Sequence, residues 1–205
     1  MKIMVAIPCM DFMHTDFVIS LTGMQHDGNV GFVYSSSSLV YDSRNSLANI
    51  AIREGYDRVL WLDSDMKFTP DLLKRLSEDI DSGMDAVCGL YVTRKLPIRP
   101  AVFDDIGYIT NENGTATPKA HHFLDYPKDS VFEVAACGFA GVMTTTELLA
   151  AVKEKYGLPF SPFLGFGEDI SFCIRAKELG RKIYCDSRIK MGHVGLRVFE
   201  ESDLP

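Results

Sequence analysis

Residues 59–66, VLWLDSDM, decide how the chain is read. With Arg58 they begin as RVLWL, a near-continuous apolar run of strand length, as expected of a strand covered on both faces inside a parallel sheet. Asp63 and Asp65 follow directly at its carboxyl end. If the strand continues through them, both side chains point the same way and converge on one spot. Two carboxylates there repel unless a cation intervenes, and oxygen ligands favour a hard divalent ion such as Mg²⁺ or Mn²⁺. Open α/β sheets bind ligands outside the carboxyl ends of their strands, so position and chemistry agree. The competing reading is a solvated turn in which Asp63 caps the next helix.

On both sides of this run apolar stretches alternate with helical patterns, the sequence form of βα units and of an α/β fold around a mostly parallel sheet. Residues 2–8 (KIMVAIP) and 30–34 (VGFVY) read as strands, with a helix over residues 15–25 between them. Residues 42–54 carry Leu47, Ile50 and Ala51 at helical spacing, with Asp42 or Ser43 as cap and Gly55 as stop. Downstream, Thr69, Pro70 and Asp71 open a helix with proline at its first position, and Leu72, Leu73, Leu76 and Ile80 form its buried stripe. Residues 85–92 (DAVCGLYV) return as a strand. From Thr93 to about Val131 the pattern loosens. Four prolines, the turn-rich NENGTATP and the pair His121–His122 suggest loops and short antiparallel strands, with both histidines in loops near an acceptor. Regularity resumes with EVAACGFAGVM, a Thr144-x-x-Glu147 capping box that opens a helix, and a further helix over residues 168–179.

A length of 205 residues suits one well-cored domain, residues 1–205. Hydrophobic residues at 46% and charged residues at 24% are ordinary for a globular chain and argue against extended disorder. A net charge of -7 gives no general electrostatic reason to bind a phosphate backbone. The five cysteines, at 9, 88, 137, 173 and 185, are odd in number and form no CxxC pair, which points away from a disulfide framework and toward a reducing cytoplasm. The opening MKIMVAIPCM lacks a small-residue cleavage site and reads as a first strand, and no apolar stretch reaches the ~18 residues that span a bilayer.

Two further features carry chemistry. Glu168 and Asp169 fall in the first turn of a helix, where a helix dipole welcomes carboxylates whether or not they act on a substrate. Arg44 and Asn45 begin a helix, so their side chains can meet an anion in the crevice beside the acidic pair, although a solvated surface arginine reads the same way. Arg94 has the same two readings. Gly138 and Gly141 allow either close approach of a sugar to the backbone or tight packing. His193, in MGHVG, reads as a loop residue on its own.

Taken in order, VAIPCMD, YDSRNSLANIAIREGYDRVLWLDSDM, GLYVTR, ACGFAGVM and GEDISFCIRAKELGRKIYCDSRIKMGHVG resemble the blocks of a GT-A fold glycosyltransferase, close to the family-2-like enzymes of bacteria and phages. The resemblance spans nearly the whole chain. It implies a Rossmann-like fold with a nucleotide-binding part over about residues 1–95 and an acceptor and catalytic part over about residues 96–205. It implies a hexosyl donor such as a UDP- or GDP-sugar, with Mn²⁺ or Mg²⁺ as cofactor. Asp65 would be the principal acidic ligand, His193 a further ligand, and Asp63 would reach the ribose or the ion through water. Pro8 would lie beside the base, with Arg44, Asn45, Ser64, Arg94 and Gly138 also on the donor side. Asp169, with Glu168 beside it, would be the general base of an inverting transfer. The acceptor stays open among glycan, protein, lipid-linked sugar and a hydroxylated base in phage DNA.

Three other readings compete. A phosphatase of the haloacid-dehalogenase type also places DxD after an apolar strand, but there the strand is the first and Lys67 stands where Thr or Val is usual. A nucleotidyltransferase would need a Gly-rich phosphate loop that IPCMDFMHTD lacks. A non-catalytic carbohydrate- or nucleotide-binding module would keep the fold without turnover.

Overall fold

A computed structural model describes residues 1–195 and 198–204. The chain runs through β1 (Lys2–Cys9), α1 (Thr15–Thr22), β2 (Asn29–Ser36), α2 (Val40–Arg53), β3 (Arg58–Leu62), β4 (Met66–Lys67), α3 (Leu72–Asp81) and β5 (Ala86–Leu90). It continues through β6 (Val102–Thr110), β7 (Ala116–His122), β8 (Val131–Val134), β9 (Ala136–Cys137), β10 (Gly141–Thr145), α4 (Thr146–Tyr156) and α5 (Glu168–Glu178). The last elements are β11 (Ile183–Lys190), β12 (Gly192–Val194), β13 (Val198–Phe199) and a 3₁₀ turn at Glu201–Asp203.

The central sheet has seven strands in the order β2-β1-β3-β10-β5-β11-β8. Five run one way, and β10 and β8 oppose them. The period of two along each strand sorts side chains to two cores. Met4, Ala6, Val59 and Trp61 face Leu47 and Ala51 of α2, Leu149 of α4 and Phe172 of α5. Ile3, Val5, Ile7, Leu60 and Leu62 face Phe17 of α1 and Leu72, Leu73, Leu76 and Ile80 of α3. Helices on both faces explain why RVLWL is apolar without alternation.

Two small sheets flank the spine. The hairpin β6–β7 carries β9 on its other edge, and β12 lies between β13 and β4. Because β4 follows Asp65 and His193 pairs with Met66, this second sheet brings the end of the chain back to the acidic turn.

Several local expectations are corrected. α2 begins at Val40 after Leu39, with no side-chain cap, so Asp42 sits in its first turn and Arg44 and Asn45 come after it rather than at the start. Pro70 precedes α3, because residues 69–72 close a tight turn through Leu72 N–H to Thr69 O (3.2 Å) and the helix opens at Leu72. The cap of α4 is Thr145, whose hydroxyl accepts from Leu148 N–H. Thr144 belongs to β10 and accepts from the buried Trp61 Nε1–H at 3.1 Å, while Glu147 pairs with Arg181 at 2.9 Å. β5 ends at Leu90 and α1 at Thr22, both short of the expected ends. His121 and His122 lie in β7, not in loops, with His121 Nδ1 2.7 Å from Asp104 and His122 Nδ1 2.7 Å from the carbonyl of Pro100.

Candidate functional site

A cleft of about 670 Å³ opens beyond the carboxyl ends of β1, β2 and β3. Pro8, Phe12 and His14 line it from the first strand and its loop, Ser37 and Ser38 from the second βα connection, Ser43 from the first turn of α2, and Asp63, Ser64 and Asp65 from the turn after β3. Arg94 and His193 complete it. The acidic pair does not continue the strand. β3 stops at Leu62, and Asp63 O accepts from Met66 N–H (3.3 Å), so the aspartates sit in a turn. Three backbone bonds of this segment reach elsewhere: Asp63 N–H to Ala140 O (3.4 Å), His14 N–H to Ser64 O (3.0 Å) and Val194 N–H to Asp65 O (2.8 Å).

The turn sends the two carboxylates apart. Asp63 Oδ1 accepts from Arg44 Nη2 at 2.8 Å. Burial pushes the Asp63 carboxyl up, and the Arg44 guanidinium only partly offsets this. Asp65 Oδ2 pairs with Arg94 Nη1 at 2.8 Å and faces His193 Nε2 at 3.6 Å. Burial would raise this carboxyl too, but the hydrogen bond and charge of His193, then Arg94 and His14, hold it below the ordinary value.

Whether these residues suit a divalent ion can be judged from their unmet valences. Among the described residues, Asp65 Oδ1 is buried with no hydrogen-bond partner. His193 Nδ1 lies 3.0 Å from Val92 O, which only accepts, so that nitrogen carries a proton and Nε2, facing Asp65, is the ring atom that can offer a lone pair to a metal in place of a proton. Tyr91 packs edge-on against the same ring at 5.6 Å. An orphaned carboxylate oxygen beside an oriented imidazole fits a hard cation that takes its other ligands from phosphate and water. Among the described residues, no three His, Cys, Asp or Glu side chains stand close enough to hold an ion alone. Asp63, expected beside Asp65 and His193, is instead engaged by Arg44 at 2.8 Å.

Arg44 is buried and does not line the cleft. It donates to Phe139 O at 2.9 Å, pairs with Asp63, and places Nε 3.4 Å from Glu168. Desolvation works against its charge, and the carboxylates of Asp63, Glu168 and Asp169 more than restore it. An aromatic group of Trp61, Phe139, Phe160 and Phe172, with centroids 4.8–6.1 Å apart, forms the floor beneath, and Arg44 lies 5.6 Å from the Phe139 ring. Asn45 is also buried, its Oδ1 accepting from Phe160 N–H at 2.9 Å. Neither residue is free to bind a nucleotide, contrary to the expectation from sequence.

Asp169 stands behind the cleft, outside its lining. Its Oδ1 accepts from Ile170 N–H at 2.7 Å. Burial, then the neighbouring charge of Glu168, push this carboxyl up to about 6 against the pull of Ile170 N–H and Arg44. Gly138 serves packing: a Cβ there would fall on the Tyr91 hydroxyl, and one on Gly141 would fall on Met191.

Of the expected site residues, Pro8, Asp63, Ser64, Asp65, Arg94 and His193 meet in one cleft. Glu168, Asp169 and Arg44 form a charged layer behind it. Phe12, His14 and Tyr91 were missed. Phe12 and His14 carried a usable signal, since MDFMH directly follows the first strand where ligands gather. Tyr91 carried none.

No family model matches the chain, and no curated protein sequence matches it. Solved structures do resemble it. A197 from STIV aligns over 95% of this chain and 86% of its own, with a TM-score of 0.67 and 21% identity. GalNAc-T7, solved with UDP, GalNAc and Mn²⁺, aligns over 95% of this chain with a TM-score of 0.61 and 11% identity. S. aureus TarS 1-349 aligns over 91% with a TM-score of 0.54 and 17% identity. The chain spans 44% of the GalNAc-T7 structure and 58% of the TarS structure. Identities this low speak for fold alone, and on that they agree: the chain has a GT-A-like glycosyltransferase fold, a mixed α/β architecture around a mostly parallel sheet.

Proposed function

We propose that the protein transfers a sugar from a nucleoside-diphosphate sugar to an acceptor hydroxyl, with inversion, using Mn²⁺ or Mg²⁺. The observation that carries this reading is the Asp65–His193 pair, with one orphaned carboxylate oxygen and one oriented imidazole in the cleft at the strand ends. The fold resemblance to GalNAc-T7, solved with UDP, GalNAc and Mn²⁺, supports it.

Asp65 and His193 would hold the ion, which when bound supplies positive charge to the departing diphosphate. Pro8 and Phe12 flank the nucleoside, Ser64 and Asp63 face the ribose side, and Arg94 answers diphosphate charge. Asp169 removes the proton of the acceptor hydroxyl. A carboxyl raised to about 6 is mostly ionised at neutral pH yet more basic than an ordinary aspartate, as a general base requires. Glu168 stays with Arg44 and sets the charge around that base. The donor is a UDP- or GDP-sugar, the acceptor a glycan, protein, lipid-linked sugar or hydroxylated phage DNA base, and the compartment the cytoplasm. No helix of the described residues is long and apolar enough to cross a membrane.

A screen of sugar nucleotides for Mn²⁺-dependent release of nucleoside diphosphate tests this. Release from one donor is expected. Binding without release, with acceptor candidates present, would favour a non-catalytic module, a reading to which the two-residue metal site lends itself.

A further inference from the structure

The two oxygens of Asp65 have different fates. Among the described residues Oδ1 is buried without a partner, whereas Oδ2 meets Arg94 Nη1 at 2.8 Å, on the side that faces His193 Nε2. A guanidinium therefore stands on the carboxylate, and beside the nitrogen, that would grip a divalent ion. Among the described residues the Arg94 side chain has one other bond, from Nη1 to Val194 O at 2.9 Å, and it is 41% exposed. Its loop is fixed at the base by Thr93 N–H to Arg99 O (2.8 Å), so the long side chain can swing while its root stays in place. A guanidinium and a dication cannot both sit at contact distance from one carboxylate without strong mutual repulsion. The planar fork released from Asp65 is suited to phosphate oxygens in the same cleft.

The geometry points to Arg94 as a resident stand-in for the metal: it neutralises Asp65 in the ligand-free protein, and the incoming ion displaces it onto the diphosphate of the donor. This rests on the cleft being a metal and sugar-nucleotide site. It follows that the ion binds weakly to the free protein, and that ion and nucleotide strengthen each other reciprocally.

The test measures Mn²⁺ binding to the nucleotide-free full chain by the electron paramagnetic resonance of free Mn²⁺, then UDP and GDP binding by calorimetry at saturating Mn²⁺. Arg94→Gln should bind Mn²⁺ about 2–5-fold tighter than the parent, the scale of a partly exposed ion pair removed. The same variant should bind the better nucleoside diphosphate about tenfold or more weakly, the scale of a lost charged hydrogen bond. Arg94→Lys, which keeps the charge, should return Mn²⁺ affinity to the parent value. Mn²⁺ binding by Arg94→Gln that is no tighter than in the parent would make Arg94 a structural brace and overturn the inference, as would undiminished nucleotide binding. Asp65→Asn separates the two levels. Loss of Mn²⁺ binding in that variant is expected, and unchanged binding would remove the metal site itself, and with it the premise.

Discussion

Two carboxylate pairs from opposite ends of the sequence share one arginine. In the turn after β3, Arg44 takes Asp63 and leaves Asp65; in the first turn of α5 it takes Glu168 and leaves Asp169. What separates the two residues left over is their remaining company. Asp65 has His193 and Arg94, which hold it below the ordinary carboxylate range. Asp169 has the Ile170 N–H and the more distant Arg44 charge to oppose burial, and still rises to about 6. Similar sequence features, DSD and GED, thus yield one carboxyl held below the ordinary range and one raised to about 6. The difference lies in the partners supplied by other segments.

Removing the shared cation should have the largest effect. Arg44→Ala leaves Asp63 and Glu168 partly buried and unpaired, and should cost about 3–5 kcal/mol in urea unfolding, the usual loss when one partner of a buried pair is deleted. A cost below about 1 kcal/mol would mean that solvent, not Arg44, balances the two pairs. Next is Asp169→Asn, which preserves shape and the bond from Ile170. It should lower sugar transfer by about 10²–10⁴-fold with donor binding retained, and parental transfer should rise with pH through about 6 as the base loses its proton. Transfer undiminished in the variant would take the base role from Asp169. Asp65→Ala should then lower Mn²⁺-stimulated release of nucleoside diphosphate by about 10²–10³-fold, the scale of one electrostatic contact to a leaving oxygen. Circular dichroism and thermal unfolding should stay near the parent, because Asp65 lies at the cleft wall. Equal release by variant and parent would end the metal assignment.

The sequence was most legible where local chemistry alone decides. RVLWL reads as a doubly covered strand because both faces are covered by helices, and the stripe Leu72, Leu73, Leu76 and Ile80 reads as the buried face of α3 because 3.6-residue periodicity is local. Boundaries were less legible. Thr144 and Thr145 are equivalent as caps in sequence, and the choice falls to Thr145 because β10 extends that far and Thr144 serves the Trp61 indole. The site was half legible. That Asp65, Arg94 and His193 would share a cleft followed from the resemblance, and β12 pairing with β4 is the physical reason. Arg44 was assigned to the nucleotide because nothing in DSRNS reveals that its fork is already taken by Asp63 and Phe139 O. Long-range pairing of this kind has no local pattern from which to read it.

The smallest effect sharpens the contrast most directly, because it reads charge state without any substrate. Asp169 in the folded chain keeps its proton up to about pH 6, while in the unfolded chain it releases it near the ordinary value of 3.8. Between these values the native state binds more protons than the unfolded one, so stability falls as pH rises, and the full penalty is present above about 6. A shift of about two units corresponds to roughly 2–3 kcal/mol. Asp79, raised to about 6 by burial and by the adjacent Asp186, adds a slope of the same sign, so the parent alone cannot identify the group. Asp169→Asn can. Measured by urea unfolding, it should be more stable than the parent by about 2–3 kcal/mol at pH 7 and by little at pH 4, where the parent aspartate is protonated in the native state and close to half protonated in the unfolded one. Equal gains at both pH values would point to packing. No gain at either would mean that Asp169 is not raised in the folded chain, and its contrast with Asp65 would disappear.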